Sequence, residues 1–196
     1  MLWLAADERQ RGDVGVRYGA FDAAGRPLAP AVWVREPNAD VLPAGVALAD
    51  DGEGGLVFAV VQDGLGGPEG EVGRLTLEGE VLRGRLRLQL DGVPERLDLA
   101  TGGGHVAVVW DAPDQDPPAA YALVTDNLDG EGAGQRLGEQ RPARAPAITW
   151  NGAAFAAAYT EQRGLDTVVA LATVGLDGRP QAPVDVQARA LMADLV

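Results

Sequence analysis

Pairs of acidic residues recur along this sequence, each flanking a loop between two apolar runs. Three of the pairs are spaced by five residues, and the fourth encloses a longer Gly-rich loop. The residues are Glu8 and Asp13, Asp63 and Glu71, Asp111 and Asp116, and Glu161 and Asp166. Because loops at equivalent positions of a repeat protein project from one end, we expect these carboxylates to ring a ligand face.

Three chemistries fit such carboxylates. One is binding of a hard cation such as Ca²⁺, for which Asp111, Asp114 and Asp116 form the densest cluster. Another is capping, in which the acids accept hydrogen bonds from loop amides. The last is hydrolysis of glycosidic bonds, which needs two carboxylates facing each other across a sugar. The equal repetition of the acids in every unit favours capping, because a catalytic pair usually breaks the symmetry of a repeat. We expect no cofactor, and Ca²⁺ is the only candidate.

The residues that are missing restrict nucleophilic catalysis. The sequence has no Cys, Ser or Lys, and all 16 basic residues are Arg. Thiol and serine nucleophiles, Schiff-base lysines, disulfides and Cys–zinc sites are therefore excluded. His105, the single histidine, aligns with the start of a buried run, and we interpret it as a core or loop residue.

The charge balance restricts the partners. With a net charge of −13 and a pI near 4.4, the chain repels phosphate backbones and anionic membranes. No stretch approaches the roughly twenty uncharged apolar residues of a membrane span. We therefore expect a protein or glycan partner, with no nucleic acid and no membrane insertion.

A few other side chains are candidates for contacts. Arg83, Arg85 and Arg87 form a one-sided basic stripe on a predicted outer strand. Trp33 is the aromatic residue most expected to be exposed, for a sugar or partner contact. Other candidates are Arg9, Arg11 and Arg163, as ion pairs or anion ligands, and Trp3, Trp110 and Trp150, as packing between units.

The elements that position these residues are short strands. Apolar runs of about six residues are separated by Asn-Gly, Asp-Gly and Gly-rich turns, which is typical of antiparallel hairpins. The glycines that precede the fourth run of each unit, Gly25, Gly79, Gly130 and Gly178, are 54, 51 and 48 residues apart. The pattern predicts four units of four strands, the first lacking its leading strand.

Units of this length, with the pattern W-N-G-x-x-F-x-x-x-Y-x-E over Trp150–Glu161, resemble β-propeller blades. The resemblance covers nearly the whole chain; it is closest to divergent blades of bacterial secreted or surface proteins and matches no named subfamily. It implies one domain, residues 1–196, of four four-stranded blades. The predicted blades are residues 1–40 with 188–196, 41–92, 93–142 and 143–187.

Ring closure has a candidate in the terminal segments. Residues 190–194 resemble a leading strand, so pairing the two termini in one blade would remove the exposed sheet edges. Two alternatives remain open: half of a larger ring completed by a dimer, and a fragment of a longer chain. We expect a monomer or such a dimer.

The function expected from these observations is a non-enzymatic propeller that binds or scaffolds a protein or glycan. The alternatives are a carboxylate-dependent glycan-active enzyme, and an engineered or excised fragment with only a folding or assembly role. The N-terminal residues lack the basic region and long apolar core of a signal peptide. The compartment stays open, with an extracytoplasmic one favoured by the resemblance.

Overall fold

In the residues that the structure describes, the alternating turns and apolar runs form sixteen β-strands. A computed structural model describes residues 1–6, 14–38, 41–64, 66–138 and 141–187, and these contain no helix. The predicted all-β chain is therefore confirmed. Within the same residues there is accordingly no helix long and apolar enough to cross a membrane.

The strands form four sheets, numbered here in chain order. Sheet 1 contains β1 (Leu2–Ala6), β2 (Val14–Tyr18) and β3 (Val32–Asn38). Sheet 2 contains β4 (Val41–Asp50), β5 (Leu56–Gly64), β6 (Gly67–Leu75), β7 (Val81–Gln89) and β11 (Gly130–Ala133). Sheet 3 contains β8 (Leu97–Gly102), β9 (His105–Ala112), β10 (Ala119–Thr125) and β12 (Gln135–Arg136). Sheet 4 contains β13 (Ala143–Trp150), β14 (Phe155–Arg163), β15 (Asp166–Val174) and β16 (Val184–Gln187).

Three apolar cores lie between successive sheets. Tyr18 of sheet 1 packs with Phe58 of sheet 2 in the first core. Val57 of sheet 2 packs with Trp110 of sheet 3 in the second. The third joins sheet 3 to sheet 4 and contains the fully buried Phe155. Because β5 and β9 contribute to a core on each side, their sequences are almost continuously apolar.

Close approach of the sheets depends on glycine at particular positions. A Cβ atom added to Gly102 would overlap the ring of Trp150, which lies on the neighbouring sheet. The next two residues, Gly103 and Gly104, have positive φ and form a two-residue hairpin turn between β8 and β9. The predicted packing of Trp110 and Trp150 between sheets is confirmed; the side chain of Trp3 lies outside the described residues.

One outer segment is shared between two sheets. After β10, the chain forms β11, which pairs in parallel with β7 of sheet 2, and then β12, which pairs with β10 of sheet 3. The predicted position of β7 as the outer strand is therefore wrong, since β11 covers its free edge. Hydrogen bonds of one short segment thus fasten two sheets together.

Each sheet makes extensive contacts only with its neighbours in the sequence, within the part of the chain that the structure describes. Sheet 4 and sheet 1 make no extensive contact there. The predicted closing strand falls on residues 188–196, which are outside the described residues. Closure by the terminal strands and the exact blade boundaries stay predictions.

Candidate functional site

Asp111 bridges sheets 3 and 4 through its buried carboxylate. The residue is 1% exposed at the end of β9. Its Oδ1 accepts hydrogen bonds from the backbone N–H groups of Glu95, at 2.8 Å, and Arg96, at 2.9 Å. Its Oδ2 accepts one from Ala145 N, at 3.2 Å, in a residue of β13 with a φ of 50°. Both oxygens are therefore engaged in holding two sheets together.

The predicted Ca²⁺ cluster is not assembled. Asp114 and Asp116 are exposed in the loop after β9, whereas Asp111 is directed into the interface. No group of three or more acidic or histidine side chains placed to hold a metal ion occurs among the described residues. The three acids are close in sequence, but Asp111 lies at the buried end of β9 and its side chain is directed away from the loop that carries the other two.

Glu161 is a second enclosed carboxylate. It is 2% exposed, and its Oε1 accepts hydrogen bonds from Arg163 Nε, at 2.7 Å, and Arg141 Nη1, at 3.1 Å. Arg163 also donates to Asp185 Oδ2, at 2.6 Å. The hydrogen bond to Glu161, and then that to Asp185, raise the pKa of Arg163 above its ordinary value. The predicted role of Arg163 as an ion-pair partner is therefore seen within sheet 4.

The other predicted acids are dispersed. Asp63 lies near the end of β5, and Asp166 opens β15; both are exposed. Glu8, Asp13, Arg9 and Arg11 lie outside the described residues. Contrary to the prediction, Glu71 does not border a loop, because β6 begins at Gly67 and Glu71 lies in the middle of that strand. Its pairing with Val60 shows this directly.

Glu71 instead lies in the wall of a cleft of about 590 Å³ between sheets 1 and 2. The residue is 9% exposed. Its Oε1 accepts a hydrogen bond from Arg85 Nη1 at 2.8 Å, and its Oε2 lies 3.0 Å from Arg35 Nη2. Arg85 is on β7 of the same sheet, whereas Arg35 is on β3 of sheet 1, so this carboxylate spans the boundary between sheets.

The cleft lies along the outer strands of sheet 2. In the part of the chain that the structure describes, sheet 2 contains five strands and sheet 1 three, and Arg35 is the residue of sheet 1 that lines the cleft. Charged residues from β3, β6, β7 and β11 line the gap. They are Arg35, Glu69, Glu71, Arg85, Arg87 and Glu131, accompanied by Gln89, Pro68, Gly70 and Leu88.

Two of the predicted basic residues belong to this cleft. Arg85 and Arg87 line it because β7 alternates, with Leu86 buried in the core between sheets 2 and 3. The side chain of Arg83 lies outside the described residues. The alternation of arginines on β7 was therefore predicted from the sequence. Their proximity to Glu71 and Glu131 depends on which strands pair with β7, and residue spacing does not show that pairing.

Trp33 and His105 have local partners. The Arg17 guanidinium lies 4.1 Å from the centroid of the half-buried Trp33 ring, so the predicted free aromatic surface is partly covered. His105 opens β9, and its Nδ1 donates a hydrogen bond to Gly103 O at 2.9 Å. The histidine lines a smaller cleft of about 300 Å³ between the first hairpin turns of sheets 2 and 3. This agrees with the interpretation of His105 as a core or loop residue whose ring is hydrogen-bonded within the protein.

Comparison with known proteins identifies the fold. No protein-family profile and no curated protein matches the sequence. Among solved structures, an α-L-arabinofuranosidase from Clostridium thermocellum aligns with a TM-score of 0.54 and 12% identity, over 90% of this chain and 70% of that chain. A thermostable family-43 glycoside hydrolase aligns with a TM-score of 0.48 and 11% identity, over 93% and 74%. A mutant α-L-arabinanase of Cellvibrio cellulosa gives 0.46 and 12%, over 92% and 76%.

The α-L-arabinofuranosidase is a five-bladed β-propeller, so the predicted propeller fold is confirmed, although the blade number and closure of this chain are not. At such low identity the likeness shows the fold and does not assign an activity. The leading prediction of a non-enzymatic module is contradicted, because this structure of the same fold is an α-L-arabinofuranosidase, and the comparison favours the glycan-active alternative. The chain has a β-propeller fold.

Proposed function

We propose that this chain is a carboxylate-dependent glycan-active enzyme whose site is the cleft between sheets 1 and 2. The observation that carries the proposal is Glu71, fixed by two guanidinium groups in the wall of that cleft. The fold shared with an α-L-arabinofuranosidase supports the reaction class, with an arabinose-containing glycan as the first substrate to test.

The size and lining of the cleft fit a sugar. Its volume of about 590 Å³ lies within the range of roughly 300–1,000 Å³ that small-molecule sites occupy. The walls carry hydrogen-bond donors from three arginines and Gln89, and acceptors from three glutamates. Sugar hydroxyls both donate and accept hydrogen bonds, so a lining of this mixed kind suits them.

Two of the glutamates are spaced for hydrolysis. Glu71 and Glu131 are each the Cα partner of Arg87, on the strands that flank β7. Two interstrand steps place their Cα atoms about 10 Å apart on one face of the sheet. From these positions the side chains can bring their carboxyl groups to the roughly 6.5–9.5 Å of inverting glycosidases, which leaves room for a water molecule.

The pair divides the reaction as follows. Glu71, oriented by Arg35 and Arg85, accepts a proton from the water that attacks the anomeric carbon. Glu131 acts as the general acid and gives a proton to the leaving oxygen as the glycosidic bond breaks. Glu131 is exposed and has Gln89 Nε2 at 3.4 Å from its Oε2, so it is free to reach the leaving group.

The test is hydrolysis of aryl glycosides and of polysaccharides, with an α-L-arabinofuranoside and arabinan included. We expect Glu71→Gln and Glu131→Gln each to lower kcat at least about a hundredfold, the lower end of general acid–base contributions. Glu53→Gln is the matched control, because Glu53 is exposed in a turn outside this cleft. Unchanged turnover in both cleft variants, or no turnover of any glycan by the natural sequence, would contradict the proposal.

A further inference from the structure

One arginine of the cleft, Arg87, has no partner among the residues that the structure describes. Arg35 and Arg85 are both engaged by Glu71, whereas Arg87 makes no hydrogen bond or ion pair with any described residue. We infer that the glycan bound in this cleft carries a carboxylate, as a uronic acid residue does, and that Arg87 binds it. This inference rests on the proposed glycan-active function and names its substrate class.

The freedom of Arg87 is notable because acids lie on both neighbouring strands. Glu71 is its Cα partner on β6, and Glu131 is its Cα partner on β11. Glu71 directs both oxygens to the other two arginines, and Glu131 approaches Gln89. Neither carboxylate pairs with Arg87, so its guanidinium is left facing the cleft.

The backbone holds Arg87 in a defined position. Strand β7 is hydrogen-bonded on both sides, to β6 and to β11, so it is not a sheet edge. Leu86 and Leu88, which flank Arg87 in sequence, are 4% and 5% exposed and anchor the strand in the core. A guanidinium on such a strand has a fixed stem, which lowers the entropic cost of binding a planar carboxylate through two hydrogen bonds.

The charge of the whole chain makes a local cation necessary for an anionic ligand. At a net charge of −13 the protein repels anions at long range. The cleft lining is balanced, with three arginines and three glutamates, so the positive charge available to an anionic group is local to Arg87. Arg87 lies between the strands of Glu71 and Glu131, so we expect the uronate to bind directly on its guanidinium.

The first experiment compares kcat/KM for matched neutral and uronate substrates, such as aryl galactosides and aryl galacturonides, in the natural sequence and in Arg87→Gln. We expect the uronide to be preferred. We also expect the ratio of the two kcat/KM values to fall about tenfold to a hundredfold in Arg87→Gln, mainly through KM, as for loss of a charge-assisted hydrogen bond. Arg179→Gln is the control, since Arg179 is highly exposed on a turn outside this cleft.

The outcomes separate this inference from the function on which it rests. Preference for the neutral glycoside, or an unchanged ratio in Arg87→Gln, would overturn the uronate inference while leaving a glycan-active enzyme. If no glycan is turned over, calorimetry with galacturonate decides the binding question alone. Binding that is lost in Arg87→Gln then supports the inference, and absence of binding to the natural sequence rejects it.

Discussion

Two buried glutamates, one in sheet 4 and one in sheet 2, are each held by a pair of arginines, yet their surroundings differ. Glu161 accepts from Arg163 and Arg141 with a single oxygen and is enclosed. Glu71 divides its oxygens between Arg85 of its own sheet and Arg35 of sheet 1, and it borders a cleft. The same side-chain motif is closed in one region and open to ligands in the other.

The difference follows from what lies beside each carboxylate. At Glu161 the chain itself fills the space, since a Cβ atom added to Gly138 would lie 3.2 Å from Oε2. At Glu71 the carboxylate borders the cleft, and Arg35 is the described residue of sheet 1 that lines it. A repeat can therefore place similar acids in several units while the packing around each acid decides which of them meets solvent.

The largest effect is expected where a closed carboxylate is removed outright. In Asp111→Ala the N–H groups of Glu95, Arg96 and Ala145 lose their acceptor inside an interface. We expect the free energy of unfolding to fall by about 3–5 kcal/mol, as for other broken buried charged contacts. Urea unfolding monitored by tryptophan fluorescence measures it.

Asp114→Ala is the matched control, because Asp114 is an exposed residue of the same loop. Its cost should stay within about 0.5 kcal/mol. Equal effects of the two substitutions would mean that Asp111 does not join sheets 3 and 4, and the contrast between closed and open acids would lose its clearest member.

The direct test of the comparison is the same isosteric change at both glutamates. Glu161→Gln removes the charge that two arginines bind inside sheet 4, and we expect a loss of about 2–3 kcal/mol. Glu71→Gln should cost about 1 kcal/mol, because the Glu71 side chain is 12% exposed against 2% for Glu161 and borders a cleft, while the arginines are similarly exposed at the two sites. Thermal and urea unfolding of both variants provide the comparison.

The effects on turnover should run in the opposite order. Glu71→Gln is expected to abolish most glycan hydrolysis, whereas folded Glu161→Gln should retain it near the level of the natural sequence. A Glu161→Gln protein that is folded but inactive would place chemistry in the closed region instead. A Glu71→Gln protein that is the less stable of the two would show that the cleft is structural.

Local patterns in the sequence determined much of the architecture. The turns at Gly25, Gly79 and Gly178 precede β3, β7 and β16, as predicted, whereas Gly130 opens β11, which pairs with sheet 2. Among the apolar runs, β9 is buried on both faces, whereas β14 alternates between buried and half-buried residues. These features are local, because turn geometry and side-chain alternation depend on neighbouring residues.

The candidate site depends on contacts that spacing does not encode. Glu71 and Arg35 are 36 positions apart by their numbers and meet only because sheets 1 and 2 pack together. The exchange of β11 into sheet 2 brings Glu131 next to Arg87, and no local signal indicated that parallel pairing. The loop acids Asp111 and Asp116 resembled a site in sequence, but the end of β9 directs Asp111 into an interface.

The smallest predicted effect concerns pH in the region of sheets 1 and 2. Tyr18 is buried and donates a hydrogen bond to Leu77 O at 3.0 Å. Burial, and then the negative charge of Glu78, raise the pKa of Tyr18 above its usual value of 10.0. The unfolded chain therefore loses this proton first as pH rises, so stability is fully present below about pH 10 and declines above it.

Tyr18→Phe should remove that alkaline decline at a cost of about 1 kcal/mol at neutral pH, where the hydrogen bond to Leu77 is lost. Glu78→Gln should make the decline shallower because it removes the secondary cause of the shift. Glu80→Gln, in the same turn, should leave the profile unchanged. Urea midpoints measured between pH 7 and about pH 11 test this ordering. An undiminished alkaline decline in Tyr18→Phe would show that the packing of sheet 1 on sheet 2 is not limited by this hydroxyl, and that the open region loses stability in base for another reason.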